Sequence, residues 1–314
     1  MPELPEVETV RRGLQELLPG KVIESVQFDW PKSFPNSPAD VQAFLVGARV
    51  VTVARRAKVL LIELDSKYSL VIHLKMTGQL VYVASQQTED RRPKTEGSSQ
   101  SSVSSPQSAT RFGAGHPNES LIGELPDSST RVTFTLNGAK LFFNDQRKFG
   151  WVRLMPTAEV PNIDFMKKVG PEPLSTEFTP DVLYERLQRR KNTTIKAALL
   201  DQTVLAGIGN IYADESLFAV QVDPRTKVST LSSSKVTELH KAIQTVLTLA
   251  IEKGGSTDKN YVNAEGKRGS YMDFAQVFRR EGQACPRCQT TIIKLKVAGR
   301  GTHICPQCQQ LQTE

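Results

Sequence analysis

The stretch LDQTVLAGIGNIYADES, residues 200–216, decides how the second half of this chain folds, because it joins two helical patterns through a glycine-containing turn. Within it, Gly207-Ile208-Gly209-Asn210 has neither the preceding strand nor the third glycine of a dinucleotide-binding fingerprint. A tight turn at a helix N-terminus is therefore predicted, where free N–H groups and Asn210 could hold a phosphate. Because most helix–helix turns use glycine only for its geometry, the turn alone does not decide between a structural role and a binding role.

On either side of this turn the chain shows two different patterns. Residues 4–18 carry apolar side chains at helical spacing and are followed by Gly20, so they predict a leading helix. Short, β-branched segments between residues 21 and 155 then predict the strands of a sandwich or barrel. A proline-rich passage at 156–174 is typical of a linker, and further helical patterns continue to residue 255. The sequence therefore predicts an α+β protein.

Residues 84–130 interrupt the strand pattern. They contain eleven serines in 47 positions and few large apolar side chains. A segment of this composition buries too little apolar surface to offset the entropy lost on ordering. It is therefore predicted to be a disordered or weakly ordered insertion.

The four cysteines stand in two C-x2-C pairs, and sixteen residues separate the pairs. Four thiolates at this spacing can close a tetrahedral zinc site, whereas two disulfides are disfavoured in reducing surroundings. His303 is predicted not to be a ligand, because four thiolates already complete the site. One structural zinc ion is therefore expected, held by Cys285, Cys288, Cys305 and Cys308.

The sequence between the cysteine pairs alternates between apolar and polar residues and turns at Gly299-Arg300-Gly301. This pattern predicts a hairpin with Arg300 at its tip. A cation on a hairpin held by a metal suits a phosphate group, but an exposed turn arginine explains the pattern equally well.

The composition is that of a globular protein with a basic excess. Lys and Arg exceed Asp and Glu by 40 to 33, which permits a polyanionic partner without requiring one. No run of about eighteen apolar residues occurs, and the N-terminus lacks the pattern of a signal peptide. We therefore expect a cytoplasmic protein that has no membrane partner. As a separate expectation, the protein needs no organic cofactor.

The first ten residues, MPELPEVETV, raise a separate question. Pro5, Glu6 and Glu8 suit the first turn of a helix, where proline is tolerated and carboxylates complement the helix dipole. That explanation leaves Pro2 and Glu3 without a role.

These segments occur in the order expected of one family. The chain resembles formamidopyrimidine-DNA glycosylase over essentially its whole length apart from the insertion, in the blocks MPELPEVETVRRGL, RRAKVLLIEL, HLKMTGQL, NDQRKFGWV, GPEPL, TTIKAALLDQTVLAGIGNIYADESLF, GGST and GRGTHICPQCQ. The resemblance implies an N-terminal β-sandwich with a leading helix, followed by a helical domain with a helix-two-turns-helix motif and a zinc ribbon. The implied boundaries are a catalytic domain at 1–157, a linker at 158–173, a DNA-binding helical domain with a lesion-capping loop at 174–270, and the ribbon at 271–314.

The resemblance also supplies a role for the two unexplained residues. In this family the initiator methionine is removed, so Pro2 becomes a terminal amine, and an α-amine with a pKa of about 8 is partly neutral at cellular pH. Pro2 would attack C1′ of the damaged nucleotide, and Glu3 would supply the acid and base for opening the sugar ring. Glu6 would support that region from the helix start. Lys58 matches a lysine that contacts phosphate near the lesion, although a surface lysine at a strand edge is the alternative.

Further positions match residues that contact DNA in the family. Met76, Arg147 and Phe149 match the side chains that fill the gap left by a base flipped out of the helix. Asn210 and Arg300 match phosphate contacts.

The segment 256–271 matches the loop that closes over the extruded base. Two stretches depart from the family pattern. Lys75 replaces the glycine that usually precedes the wedge methionine, and SSTRV at 128–132 replaces a segment that commonly carries histidines.

The resemblance implies a bifunctional DNA glycosylase and AP lyase of base-excision repair. Such an enzyme, expected to act as a monomer, excises 8-oxoguanine and formamidopyrimidines from double-stranded DNA and cleaves abasic sites by β,δ-elimination, through an imine at the N-terminal proline. A DNA-binding protein without catalysis would explain the charge and the zinc site but would have no use for Pro2 and Glu3. Endonuclease VIII, the pyrimidine-directed relative, shares the Pro-Glu start, but PELPEVET, RKFG and the block around Met76 favour the purine-directed branch.

Overall fold

The computed structural model describes residues 1–84, 110–116, 118–256 and 271–311. Its helices are α1 (Leu4–Leu17), α2 (Pro38–Asp40), α3 (Asp164–Lys168), α4 (Pro180–Gln188), α5 (Ile195–Leu200), α6 (Asn210–Ala219) and α7 (Ser233–Glu252). Its strands are β1 (Ile23–Phe28), β2 (Val50–Arg56), β3 (Val59–Leu64), β4 (Tyr68–His73), β5 (Gly78–Ala84), β6 (Arg111–Gly115), β7 (Thr130–Leu136), β8 (Ala139–Asp145), β9 (Trp151–Pro156), β10 (Ile293–Val297) and β11 (Arg300–Ile304). Among the described helices, none combines the length and the apolar character that crossing a bilayer requires.

The first half of the chain folds into two antiparallel sheets that pack face to face. In the described residues one sheet has the strand order β1-β7-β8-β5-β6 and the other the order β2-β3-β4-β9. Alternate residues of each strand point into a shared core, and in β3 these are Leu60, Ile62 and Leu64, each at most 4% exposed. The predicted β-sandwich is confirmed.

Helix α1 leads the sandwich, as predicted, and its apolar face enters the core. Val7, Val10 and Leu14 are each 0% exposed. The helix begins with a hydrogen bond of 2.7 Å from the Glu3 N–H to the Glu6 carboxylate, one half of a capping box. Because α1 contacts both β2 and α7, it lies between the two halves of the chain.

The prediction that residues 84–130 form a disordered or weakly ordered insertion is wrong for the part that the structure describes. Strand β6 pairs with β5 at the edge of the five-stranded sheet formed by described residues. Phe112 of β6 is 7% exposed and packs closely against Gly13 of α1. The strand RFGAG escaped prediction because two of its five residues are glycines, which weaken a strand pattern. Residues 85–109, the serine-rich centre of the insertion, lie outside the described residues.

The predicted linker at 158–173 is an ordered segment with contacts of its own. It includes α3, and Val160 packs against the outer face of β3 and β4. Glu172 forms ion pairs with Arg55 at 2.8 Å and with Arg56 at 2.9 Å. These contacts fix the linker against the sandwich.

Helices α5 and α6 lie on either side of the glycine turn, as predicted from the sequence, and a buried ion pair joins them. The Lys196 ammonium lies 2.6 Å from the Asp214 carboxylate, and both side chains are 0% exposed. The same ammonium donates to the Thr302 hydroxyl at 2.6 Å, so the pair also holds the β10–β11 hairpin.

The hairpin turns at a different place from the predicted one. Ala298 and Gly299 have φ values of 49° and 75°, which is the backbone of a two-residue turn that suits the twist of two paired strands. Arg300 is the first residue of β11, opposite Val297, and is not the tip. The Gly299-Arg300-Gly301 sequence predicted a turn centred on arginine. In the structure the two turn residues are Ala298 and Gly299, because Ala298 adopts a left-handed backbone.

Candidate active site

Pro2 and Glu3, directly behind the exposed Met1, lie buried where the two halves of the chain meet. The Leu4 N–H donates to the Gly207 carbonyl at 3.0 Å, and the Ile211 N–H donates to the Glu3 carboxylate at 3.1 Å. A Cβ atom at Gly209 would lie 2.3 Å from the Glu3 carboxyl carbon, so this approach requires glycine. The glycine turn therefore holds the Glu3 side chain against the start of α6.

Glu3 can exchange a proton near neutral pH. Burial raises the pKa of Glu3 to about 7, while Lys58 opposes the rise and Glu6 adds to it. The Glu3 Oε2 atom is buried and has no hydrogen-bond partner among the described residues. A carboxyl group of this kind can donate a proton and later accept one at physiological pH.

Lys58 lies in the same buried region, which excludes the alternative of a surface lysine. It is 6% exposed, and its Nζ donates to the Ile208 carbonyl at 2.9 Å. Burial lowers the pKa of Lys58, and the negative charges of Glu3 and Glu6 partly restore it.

Glu6 links the N-terminus to the helices of the second half. Its carboxylate accepts hydrogen bonds from the Tyr212 hydroxyl at 2.5 Å, from the Ser256 N–H at 2.6 Å and from the Glu3 N–H at 2.7 Å. These donors come from three parts of the chain, so Glu6 fixes the position of the helix start.

The terminal amine of the chain belongs to Met1 in this structure. Burial lowers the pKa of this amine, Glu3 and Glu6 oppose the change, and the charges of Lys58 and Arg279 add to it. A terminal amine here is therefore neutral more often than an amine in water. Pro2, the next residue, is itself buried.

A cavity of about 300 Å³ lies beside Lys58 and Met1, and His73 and Lys75 also line it. The His73 Nδ1 accepts a hydrogen bond from the Lys75 N–H at 3.0 Å, so the neutral ring carries its proton on Nε2. Burial, with the charges of Lys75 and Lys58, lowers the pKa of His73 to about 3. Sequence reasoning assigned no role to His73, although it is the first residue of the block HLKMTGQL.

The side chains predicted to enter the DNA helix lie in two neighbouring connections. Met76 lies between β4 and β5, while Arg147 and Phe149 lie between β8 and β9. Phe149 is 54% exposed, and the Arg147 guanidinium carbon lies 4.9 Å from the centre of its ring. An exposed phenylalanine covered by a cation has no core role, and it suits contact with a partner.

The structure describes both departures from the family pattern, Lys75 and the segment SSTRV at 128–132. Lys75 has φ of 51°, in the left-handed region that favours glycine, which explains why glycine is the usual residue there. Arg131, within SSTRV, is 5% exposed, forms an ion pair with Asp29, and donates to the Asp145 carbonyl at 2.9 Å.

The structure brings the two predicted phosphate contacts close to the N-terminus. The Asn210 Nδ2 donates to the Gly301 carbonyl at 3.0 Å, and its Oδ1 is buried with no partner in the part of the chain that is described. Arg300 is exposed beside Gly301, and its charge contributes to the lowered pKa of Lys58. These residues therefore share one region with the buried Glu3 and Lys58.

The four cysteines form one cluster, and none of them is in a disulfide. Their sulfur atoms lie within 4.8 Å of one another, with 3.9 Å between Cys285 and Cys308 and 3.4 Å between Cys288 and Cys305. Tetrahedral zinc with Zn–S bonds of about 2.3 Å places sulfurs about 3.8 Å apart, so the cluster fits one structural zinc ion. His303 lies outside the cluster, as predicted, against the ring of Phe278.

Comparisons with known proteins cover the chain from end to end. Three family models match it in order: formamidopyrimidine-DNA glycosylase N-terminal domain at 1–152, formamidopyrimidine-DNA glycosylase H2TH domain at 169–261, and zinc finger found in FPG and IleRS at 282–311. The formamidopyrimidine-DNA glycosylases of Chloroflexus aurantiacus and Streptococcus mutans are 41% and 38% identical to it. The alignments cover 98% of this chain and 98% of the first relative, and 99% of this chain and 100% of the second.

Solved structures agree with the sequence comparisons. A complex between a Lactococcus lactis FPG mutant and a Fapy-dG containing DNA is similar with a TM-score of 0.80 and 32% identity, over 98% of this chain and 100% of that one. A Lactococcus lactis Fpg complex with an abasic site containing DNA also has a TM-score of 0.80 and 32% identity, over 98% and 99% of the two chains. Since sequence and structure match the same proteins over nearly their whole length, the chain belongs to the formamidopyrimidine-DNA glycosylase family, the DNA glycosylases of base-excision repair.

Proposed function

We propose that this chain is a bifunctional DNA glycosylase and AP lyase that removes oxidised purines, 8-oxoguanine and formamidopyrimidines, from double-stranded DNA. The observation that carries the proposal is the start of the chain, where the Met1 amine has a lowered pKa and the buried Glu3 carboxyl group that acts on it has a pKa of about 7. Pro2, the buried next residue, would carry the terminal amine once Met1 is removed. The similar Lactococcus lactis complexes contain Fapy-dG or an abasic site, which supports this substrate class.

The reaction uses the amine as nucleophile and the carboxyl group as acid. After removal of Met1, the Pro2 nitrogen attacks C1′, and the bond from C1′ to the base breaks, so the base leaves with the bonding electrons. The nitrogen then loses its proton and the base takes up one proton, which leaves a lone pair on the nitrogen. Glu3 donates its proton to O4′ as the C1′–O4′ bond breaks, and the nitrogen lone pair completes an iminium ion with C1′. The iminium charge acidifies the 2′ proton. Loss of that proton expels the 3′ phosphate, and a second elimination expels the 5′ phosphate.

The remaining predicted residues hold the DNA. In this proposal Lys58 binds a phosphate beside the lesion, and its low exposure makes its charge effective because little water screens it. Asn210 and Arg300 bind further phosphates. The exposure of Arg300 beside Gly301 and the position of Asn210 at the N-terminus of α6 support this role. Direct contacts of this kind place the lesion but carry no sequence information.

Met76, Arg147 and Phe149 fill the gap in the base stack when the damaged nucleotide leaves it. Unstacking costs a few kcal/mol, which inserted side chains partly offset. The exposure of Phe149 supports this assignment. Of the predicted lesion-capping loop at 256–271, residues 257–270 lie outside the described residues.

The organisation of the chain follows from the same proposal. The catalytic domain is placed at 1–157, the linker at 158–173, the helical DNA-binding domain at 174–270 and the zinc ribbon at 271–314. We expect a monomer, because one chain supplies every residue of the proposed site. We also expect the protein to act in the cytoplasm. The zinc ion holds the hairpin that presents Arg300, and the reaction needs no organic cofactor.

Trapping with sodium borohydride tests the proposal directly. The mature protein is incubated with duplex oligonucleotides that contain either 8-oxoguanine or thymine glycol, with and without the reductant. We expect preferential nicking of the 8-oxoguanine duplex and a covalent protein–DNA adduct that peptide mapping places at Pro2. A matched sample with an uncleaved residue ahead of Pro2 has an amide in place of the amine, so it should bind DNA without forming an adduct. Binding without any adduct in the mature protein would support the non-catalytic alternative, and preference for thymine glycol would support the pyrimidine-directed one.

A further inference from the structure

One buried carboxylate lies directly behind both connections that carry the proposed wedge side chains. Asp145 ends β8 and is 0% exposed. Its Oδ1 accepts a hydrogen bond from the Thr77 hydroxyl, and its Oδ2 accepts one from the Gly150 N–H at 2.6 Å. Thr77 directly follows Met76, and Gly150 directly follows Phe149. The two connections therefore share a single anchor.

A third donor closes the arrangement. The Arg147 N–H donates to the Thr77 hydroxyl oxygen at 3.1 Å and to the Asp145 carboxylate at 3.2 Å. The anchor is itself held in place, since the Asp145 N–H donates to the Ser129 carbonyl at 2.7 Å and its carbonyl accepts from Arg131 at 2.9 Å. Thr77, Asp145 and the backbone of the second connection thus form one hydrogen-bonded unit.

The anchor depends on all of its donors. Among the described residues no cation forms an ion pair with Asp145, so its buried charge is compensated by N–H and O–H groups. The connection that it closes contains Lys148 at φ of 57°, a left-handed position that persists only where neighbouring contacts enforce it. Losing one donor would leave the buried carboxylate with two partners and would weaken the contacts that enforce this turn.

We propose that Asp145 and Thr77 are positioning residues that hold Met76 and the Arg147–Phe149 segment at a fixed separation, so that they enter the base stack together. The proposal rests on the DNA glycosylase function proposed above and goes further by assigning the geometry of the wedge to these two residues. Extrusion of an intact base depends on that geometry, because the base must be unstacked and its space filled. A sugar that already lacks its base has no base to unstack, so its cleavage depends much less on the position of the wedge side chains.

The Thr77→Val variant is the sharpest test, because valine nearly matches threonine in shape and lacks only the hydroxyl. Under single-turnover conditions we expect release of 8-oxoguanine from duplex DNA to slow by roughly 10- to 100-fold, the scale of a misplacement of about 1 Å. Cleavage of a duplex with a preformed abasic site should stay within about threefold of the wild-type rate. Thr77→Ser keeps the hydroxyl and should restore both rates.

Two further variants separate positioning from general destabilisation. Asp145→Asn turns an amide N–H toward the donors that face the carboxylate, so it should show the same selective loss. Thr157→Val is the matched control, because it removes the hydroxyl from a partly buried pair with Ser69 at 2.8 Å, away from the wedge. Its ratio of the two rates should equal that of the wild type, and circular dichroism melting shows that each variant is folded at the assay temperature.

Equal losses on both substrates in Thr77→Val and Asp145→Asn, or no loss at all, would overturn the assignment of these residues. A selective loss in Thr157→Val of the same size would also overturn it, because the effect would then follow from destabilisation. A wild-type protein that acts on neither substrate would refute the proposed glycosylase and lyase function, and the wedge assignment with it.

Discussion

Replacing Glu3 by glutamine tests the proposed acid, and the burial of Glu3 sets the size of the effect on stability. The ordinary carboxyl pKa is 4.5, and the pKa of Glu3 in the folded chain is about 7. The difference of 2.5 units corresponds to about 3 kcal/mol at about 1.4 kcal/mol per unit. Glutamine has nearly the shape of the neutral acid but has no acidic proton to lose.

The direction in which pH changes the free energy of unfolding follows from comparing the ionisation of Glu3 in the folded and unfolded chains. Below pH 4.5 the carboxyl group is protonated in both states, so it imposes no ionisation cost on folding. As pH rises from 4.5 through 7, the unfolded chain ionises first and the folded chain loses stability. The Glu3→Gln protein escapes this loss, so its advantage should appear as the pH is raised. Because the substitution also removes the charge that supports Lys58, we expect a net gain at pH 8 of about 1–3 kcal/mol.

Urea unfolding of the chain that retains Met1, at pH 5 and at pH 8, measures this gain. Glu3→Gln should unfold at a higher urea concentration than the wild type at pH 8 and at a similar concentration at pH 5. In the mature enzyme the same variant should lose 8-oxoguanine excision, because the sugar ring of an intact nucleoside needs the acid. It should retain substantial cleavage of abasic sites, whose aldehyde can condense with the Pro2 amine.

An equal difference at both pH values would refute the idea that burial of a charge destabilises the site. A Glu3→Gln protein that excises 8-oxoguanine at the wild-type rate would refute the assignment of Glu3 as the acid.

Three other changes have expected outcomes. Lys75→Gly relieves a left-handed lysine, so urea unfolding should show a gain of about 1 kcal/mol. We expect the Lys75 ammonium, next to Met76, to contact a DNA phosphate, so the same change should lower the salt dependence of DNA binding by about one unit of slope. Lys67→Gly, at a matched left-handed position between β3 and β4, should give the gain in stability alone, and a slope change there would count against a DNA contact for Lys75. Asp214→Asn leaves the buried Lys196 charge without a carboxylate, so it should cost about 3–5 kcal/mol and weaken DNA binding; a loss under about 1 kcal/mol would contradict this. Replacing residues 85–109 with a short Gly-Ser turn should leave the melting temperature and the rate of nicking nearly unchanged, because β5 and β6 are paired on either side of this segment. A hundredfold loss of nicking would show that residues 85–109 have a role in the reaction.

Much of the fold was predictable, because its local signals are strong. Helix α1 follows from apolar residues at helical spacing, and the zinc cluster follows from two cysteine pairs at a ribbon spacing. Strand β6 was missed because its pairing with β5 and the burial of Phe112 are tertiary effects that outweigh a poor local pattern. The hairpin tip was misplaced because the choice of which residue takes a left-handed backbone depends on the register of β10 and β11.

The candidate site was predictable as a set of residues but not as an arrangement. Glu3 and Ile211 stand 208 positions apart in sequence, so no local pattern reports their hydrogen bond. The burial of Lys58 and the neutral state of His73 likewise depend on the way the two halves pack. The sequence did not predict a role for Asp145, because a carboxylate at the end of a strand is ordinarily a solvated surface residue.

The structure also indicates why the proposed chemistry requires both halves of the chain. Glu3 belongs to the first half, but the helix start that receives it, the Ile211 N–H and the close approach at Gly209, belongs to the second. Contact with that helix start removes Glu3 from water, and this desolvation is the largest cause of its raised pKa. If the two halves separated, water would return to the carboxyl group and its pKa would move back toward 4.5. At neutral pH it would then be a carboxylate, with no proton to give to O4′. In the proposed mechanism, Glu3 therefore acts as the acid only while the helical half is packed against the first residues of the chain. Base excision would then be limited to the assembled protein, in which Asn210 and Arg300 are placed to hold the DNA.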